Sequence, residues 1–413
     1  MRLLWCICVL IALGTPAWAQ PADSTNPYVG LYATSQGQAA VSLLPGPGKQ
    51  PLWTDVSSDQ LRMLFPSGAD TFVAGEEIAK GHPVEYTLAF VRDNHHRVTG
   101  LNTRHVAQPS AETAQRVPLR TVEVGFRNGP VRLAGTLYLP PKSERTRDTR
   151  YPALVLVHGS EANDRHSFGG FPLILAGEGF AVLAYDKRGT GSSTGDWKSV
   201  GLEPLADDLA QAVRLLGERA DIDRTRIGLI GFSEGAWVAP LAASREPLIS
   251  FIAALSGGGL TKGDAYVHKM RMAGLEEGLS HPALDSVVTA AERTIAESHE
   301  RVERNASPSG FDLRLSYDPS KDWSRFPGPI LYCGGASDVM EPASRSAEWF
   351  ERLRVTGHSN VTVKLFPNAH HSLLLANTGT PSEFASLTGI RQLVPGFWDV
   401  LLRWLEKRAR ANP

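Results

Sequence analysis

From about Tyr151 the chain alternates between nearly continuous apolar runs and longer amphipathic stretches. The runs are "YPALVLVHG", "GFAVLAYD", "RIGLIGF", "ISFIAALSG", "GPILYCGG" and "VTVKLF". A strand that is apolar at successive positions is buried on both faces, as in a parallel sheet covered by helices. Between the runs, "LADDLAQAVRLLGER" (Leu205 to Arg219) spaces its apolar residues at helical period, and "VPGFWDVLLRWLEKRA" does so near the C-terminus. Just before the first run, "RTVEVGFRNGPVRLAGTLYLP" reads as two strands about Asn128-Gly129, a strong hairpin signal. The pattern predicts an α/β fold with a mostly parallel sheet and helices on both faces.

One connection is too long for a plain crossover. Residues 260–326 separate "AALSGGG" from "GPILYCGG" and include the amphipathic segment "LDSVVTAAERTIAESHERVER". They are expected to form a helical cap over the carboxyl ends of the strands, where a pocket belongs.

Nearer the N-terminus the rhythm is shorter. "YVGLYA", "AAVSLL", "LRMLF", "VEYTLAFVRD" and "RVTGLNTR" are strand-like and broken by Gly, Pro and Asp, predicting a small β-rich domain over 20–108 built as an antiparallel sheet or barrel. His95 and His96 fall at a hairpin turn and read as a solvated loop. The polar, aperiodic "VAQPSAETAQRVP" supplies an expected linker at 109–118, leaving 119–413 as the larger domain. Tyr28, Tyr32 and Trp53 are expected as exposed aromatics that could serve a partner-binding module, with a packing platform beside the pocket as the other reading.

The first residues, "MRLLWCICVLIALGTPAWAQ", combine one Arg, an apolar core and Ala17-Trp18-Ala19, which predicts a signal peptide over 1–19 and export to the periplasm or beyond. Cys6 and Cys8 would leave with it. Cys333 then remains in an apolar run as a buried strand residue, so the exported chain is expected to fold without a disulfide. Later apolar stretches are too short to cross a bilayer.

The 413 residues are 42% hydrophobic and 21% charged with a formal net charge of -1, an ordinary globular composition without the basic field that nucleic acid or an anionic membrane surface would select. A neutral or weakly polar small molecule fits better. No Cys/His cluster has zinc-site spacing, and "LSGGGL" (Leu255 to Leu260) lacks the Gly-Lys-Ser/Thr of a phosphate loop, so neither metal nor cofactor is expected.

Candidate chemistry centres on Gly231-Phe232-Ser233-Glu234-Gly235, set between an apolar strand and a helix of small residues. Flanking glycines permit the sharp strand-to-helix turn that exposes a nucleophile. A serine hydroxyl needs a base, itself oriented by a carboxylate. Asp338 follows the run "GPILYCGG", with Glu341 as a fallback acid, and His370 and His371 follow "VTVKLF". An oxyanion requires backbone donors, for which the amides of Glu234 and Ser160 are the candidates, with Glu161 as a neighbour of the second. His158 reads as a brace for that loop.

"HGS", "YDKRGTGSSTG", "GFSEG", "GGASD" and "NAHHSL" together resemble the α/β-hydrolase superfamily, and more narrowly bacterial carboxylesterases related to the C-terminal hydrolase domains of acyl-CoA thioesterases and serine peptidases. The resemblance covers about Thr121 to Pro413. It implies an α/β-hydrolase fold and hydrolysis of carboxylic esters of small to medium acyl chain by an acyl-enzyme mechanism. It aligns His371 with the base, makes His370 a pocket-lining neighbour, and makes Asp186 to Gly189 a structural turn with Ser192 and Ser193 as turn hydroxyls. The alternatives are a peptidase or amidase on short substrates, a thioesterase, and a binding module built on an inactive hydrolase fold. Ser160 and Glu161 stand where lipases carry glycines, which argues against a lipid preference.

Overall fold

The structure, a computed structural model, describes residues 26–34, 37–43, 50–141 and 150–410; the expected signal peptide lies outside them. The N-terminal strands are β1 (Gly30–Ala33), β2 (Gln38–Leu43), β3 (Pro51–Asp55), β4 (Gln60–Met63), β5 (Phe65–Gly68), β6 (Thr71–Gly75), β7 (Val84–Arg92), β8 (Val98–His105) and β9 (Glu112–Val117). They form one antiparallel sheet in the order β4-β3-β2-β1-β9-β8-β7-β6-β5. Its two edges are consecutive in the chain, so the sheet rolls into a barrel left unpaired between β4 and β5. Across that seam the buried Arg62 donates from Nε to the Gly75 carbonyl on β6 (2.9 Å).

Two expectations for this region are corrected. The segment 109–118 is not a linker, because β9 pairs with both β8 and β1 and joins the two halves of the sheet. Only Ala114 of β9 is buried, so the strand lacks the apolar alternation that would mark it. Tyr32 (0% exposed) and Trp53 (1%) are not surface aromatics; with Val41, Phe72, Leu88, Phe90 and Leu101 they fill the barrel, and the part-buried Tyr28 donates its hydroxyl hydrogen to Asp70 (2.8 Å). A barrel this narrow must be plugged by its own inward side chains.

The second sheet contains β10 (Arg120–Asn128), β11 (Val131–Leu139), β12 (Tyr151–Val157), β13 (Ala181–Tyr185), β14 (Ile222–Phe232), β15 (Ile249–Leu255), β16 (Ile330–Gly335) and β17 (Val361–Phe366). Its order is β10-β11-β13-β12-β14-β15-β16-β17. The hairpin β10/β11 turns at Gly129 and pairs antiparallel with β13, and the remaining strands run parallel. Both faces are covered. In β12, Ala153, Val155 and Val157 face a core shared with α2 (Glu203–Gly217), α3 (Gly235–Ala243) and α8 (Ala343–Val355), while Leu154 and Leu156 face α1 (Phe171–Gly177) and α10 (Phe397–Ala409). This two-sided burial is why the strands read as unbroken apolar runs.

Between β15 and β16 lie α4 (Lys262–Glu276), α5 (His281–Glu303), α6 (Gly310–Leu315) and α7 (Ser320–Arg325), a helical insertion at the carboxyl end of the sheet. A short helix α9 (Pro381–Ser386) precedes α10. Among the described residues no helix is long and apolar enough to cross a membrane.

The barrel packs directly on the α/β layer. Leu31, Ala40 and Ile78 belong to the same buried cluster as α1 and α10. Gly177 lies close against the barrel there, since a Cβ would sit 2.4 Å from the Leu31 side chain.

Candidate active site

The turn after β14 explains its glycines. A Cβ at Gly231 would meet the Gly235 carbonyl oxygen at 2.5 Å, and one at Gly235 would meet the Val157 carbonyl oxygen at 2.4 Å. Ser233 between them has φ +50, a left-handed conformation held by its neighbours, with its amide donating to the Leu255 carbonyl (2.9 Å). Its side chain projects from the carboxyl edge of the sheet.

Asp338 and His371 reach that point from the ends of β16 and β17. The Ser233 hydroxyl lies 2.9 Å from His371 Nε2, and His371 Nδ1 lies 2.8 Å from Asp338 Oδ2. With Nδ1-H donated to the carboxylate, Nε2 is left as the acceptor for the serine proton. The carboxylate is fixed in turn, because its Oδ1 accepts from the amides of Met340 (2.8 Å) and Glu341 (3.0 Å). The Asp338 carbonyl is paired with His268 Nε2 on α4 at 2.9 Å, tying the acid's loop to the helical insertion.

The other candidates separate physically. Glu341 is fully buried against Ser346, whose hydroxyl donates to it at 2.6 Å. Burial, reinforced by the Asp338 charge, pushes its carboxyl up to about 8, so it is largely neutral at pH 7. His370 does not line an open pocket as expected. It is 0% exposed, accepts the Ser372 amide at Nδ1 (3.0 Å), and is held neutral by burial and by the neighbouring His371, down to about 4. A two-residue alternation around the tight turn sends one imidazole inward and the other to the serine. His158 is a brace, packed between the rings of Phe168 and Tyr185 at 4.7 and 4.9 Å and kept neutral at about 3 by burial and Lys187. Asp338→Asn is therefore expected to lower kcat by about 10⁴-fold, while Glu341→Gln changes it less than about threefold, in steady-state assays at pH 7.

The donor loop lies against the serine: a Cβ at Gly159 would sit 3.5 Å from that of Ser233. Among the described residues the amides of Ser160 and Glu234 donate to no protein acceptor, leaving both free for an oxyanion.

One feature was not legible in the sequence. The Glu234 side chain is 1% exposed and faces three cations, Lys187 at 3.4 Å, Lys262 at 3.4 Å and Arg314 at 3.6 Å. Burial alone would raise the Glu234 carboxyl, but Lys262, Lys187 and Arg314 together hold it down at about 2. Lys187, read from the sequence as part of a structural turn, also donates to the Gly159 carbonyl (2.7 Å) and stacks on Trp197 at 4.7 Å. The rest of that turn is structural: Arg165 and the Ser192 amide hold Asp186, and Arg188 clasps Asp208 with both contacts at 2.7 Å. The only sequence signal for the cluster was an acid beside the serine and a lysine before Arg188, far apart in the chain.

Burial, with Arg314 and Lys262 adding to it, lowers Lys187 to about 8. Turnover is accordingly expected to fall as pH rises through about 8, when the Gly159 loop loses its charged donor. Lys187→Arg should move that limb upward in a pH–rate profile; an unmoved limb would discount the assignment.

A family model described as "Alpha/beta hydrolase family" matches residues 154–387, more than half of the chain. The chain belongs to this family. It is 25% identical over 281 residues to Esterase EstD of Thermotoga maritima, covering 62% of each chain. It is 28% identical over 144 residues to Dipeptidyl aminopeptidase BIII of Pseudoxanthomonas mexicana, covering 32% of this chain and 20% of that one. The aligned part thus spans less than two thirds of the length of either relative. Among solved structures, the Pyrococcus furiosus esterase Pf2001 superposes with a TM-score of 0.47 at 18% identity, covering 71% of this chain and 92% of that one.

Proposed function

We propose that the protein is a serine hydrolase that cleaves carboxylic esters of small to medium acyl chain through an acyl-enzyme. The observation that carries the reading is the unbroken chain Ser233 Oγ, His371 Nε2, His371 Nδ1, Asp338 Oδ2, with links of 2.9 and 2.8 Å. His371 takes the serine proton as Oγ attacks the ester carbonyl, and the carbonyl oxygen gains negative charge facing the Ser160 and Glu234 amides. The imidazolium, stabilised by Asp338, returns the proton to the departing alcohol, leaving the acyl group on Ser233. Water then enters, loses a proton to His371 and attacks the acyl carbon, and the imidazolium returns that proton to Ser233 Oγ as the carboxylic acid leaves. An alkoxide needs less help to leave than an amine, which favours esters, and the similarity to an esterase supports the same choice.

The test is labelling with a fluorophosphonate followed by a screen of p-nitrophenyl esters of increasing chain length, anilides and thioesters. Modification at Ser233 with ester turnover falling beyond medium chains is expected. A protein that labels but prefers anilides would be an amidase or peptidase instead, and one that fails to label would not be a serine hydrolase.

A further inference from the structure

The N-terminal barrel is hydrogen-bonded to a segment that in turn bonds to the turn carrying His371. Asp59, at the turn between β3 and β4 with φ +54, is 8% exposed. Its Oδ2 accepts from the Gly396 amide (2.6 Å), its Oδ1 from Trp398 (3.3 Å) and its carbonyl from Leu393 (3.0 Å). Gln60 pairs with Gln392, the Ile78 amide donates to Ile390 (2.9 Å), and Glu77 accepts from Gly389 (2.9 Å). Residues 389–398 are thereby fastened to the barrel.

The same segment holds the histidine turn. Leu375 donates to the Gln392 carbonyl and Val394 to that of Leu373, both at 2.9 Å, with Leu374 bridged to Leu393. Leu373 donates to the His370 carbonyl (2.9 Å), and His370 donates to that of Leu374 (3.1 Å). His371 sits inside this loop of bonds. Leu373 has φ +56, an unfavourable conformation for a branched residue, and such a turn persists only where its surroundings over-determine it. Among the described residues no hydrogen bond joins Asp59 to Ser233, His371 or Asp338.

We infer that the N-terminal barrel positions the catalytic base, with Asp59 as the positioning residue that clamps residues 393–398 and through them the His371 turn. The inference rests on the serine hydrolase reading of the site. The barrel is then a working part of the catalytic unit rather than a targeting appendage. A displacement of about 1 Å at a catalytic group can cost about 10²-fold in rate, so a remote clamp can have a large effect.

The simpler account makes Asp59 only a cap for α10, whose own N-cap, Gly396, supplies no side chain. The two accounts differ in what a substitution changes. Asp59→Ala in the full-length protein, assayed well below its melting temperature and normalised to folded protein, is expected to lower kcat about 10- to 100-fold with KM within about twofold. Asp59→Asn tolerates the same backbone and keeps an acceptor for Gly396, so it should recover most of the rate. Hydrogen exchange should quicken at the amides of Leu373, Leu375 and Val394 in Asp59→Ala. A lowered melting temperature with unchanged kcat and unchanged exchange at those amides would overturn the inference in favour of the cap. If Asp59→Ala does not fold, Glu77→Gln, which weakens the Gly389 contact, is read the same way. Should the wild-type protein neither label nor turn over, the hydrolase reading fails, and the exchange comparison alone then decides whether the barrel holds the turn.

Discussion

Ser233→Ala is expected to abolish ester turnover, by on the order of 10⁵- to 10⁶-fold in kcat, while leaving the melting temperature and circular dichroism unchanged. The size follows from cooperation: without the hydroxyl there is no acyl-enzyme, and His371 and Asp338 have nothing to activate. His371→Ala should fall comparably, because the serine then keeps its proton. Together the three substitutions should cost little more than one, since the residues act as a unit. In His370→Ala the loss is expected instead as a lowered melting temperature, the mark of a buried ring removed from packing. Full turnover in Ser233→Ala, measured on protein free of contaminating esterase, would end the assignment.

The second large effect concerns stability. Glu234→Gln keeps the shape and the backbone amide but leaves Lys187, Lys262 and Arg314 around a neutral group. Removing one member of a buried ionic set leaves uncompensated charge, and a loss of about 3–5 kcal/mol in unfolding free energy is expected. The sign of the pH dependence follows. Since the folded carboxyl is held at about 2, below the ordinary value of 4.5, its contribution is complete above about pH 4.5 and disappears as pH falls toward 2. Urea unfolding of wild type and Glu234→Gln should thus differ at pH 7 and converge in acid; a gap that stays constant would mean the charge is not what stabilises. Lys262 lies on α4 and Arg314 on α6, so the same substitution should loosen the helical insertion first, seen as faster exchange in those helices.

These expectations draw on two kinds of information, distributed unevenly along the chain. The six apolar runs, the crossover helices and the long connection over 260–326 were readable because burial on both faces and a 3.6-residue period are local properties. The elbow was readable from its short motif, since Gly231 is required by a clash within the turn itself, whereas Gly235 is required by the Val157 carbonyl of a neighbouring strand. The candidates Ser233, Asp338 and His371 each follow a strand, and parallel strands bring their carboxyl ends to one edge of the sheet.

The tertiary structure supplies the physical reason that separates neighbours of equal chemical type. Asp338 and Glu341 are three residues apart, yet one meets an imidazole and the other a buried hydroxyl, in surroundings whose burial raises its carboxyl. His370 and His371 are adjacent, yet one is buried and accepts the Ser372 amide while the other faces the serine. The Glu234 cluster and the Asp59 clamp join residues far apart in sequence, and β9 was hidden because a strand can join two halves of a sheet while burying one alanine. Local sterics and periodicity are written into short stretches of residues. Charge pairing, protonation and strand closure depend on distances that exist only after the chain has folded.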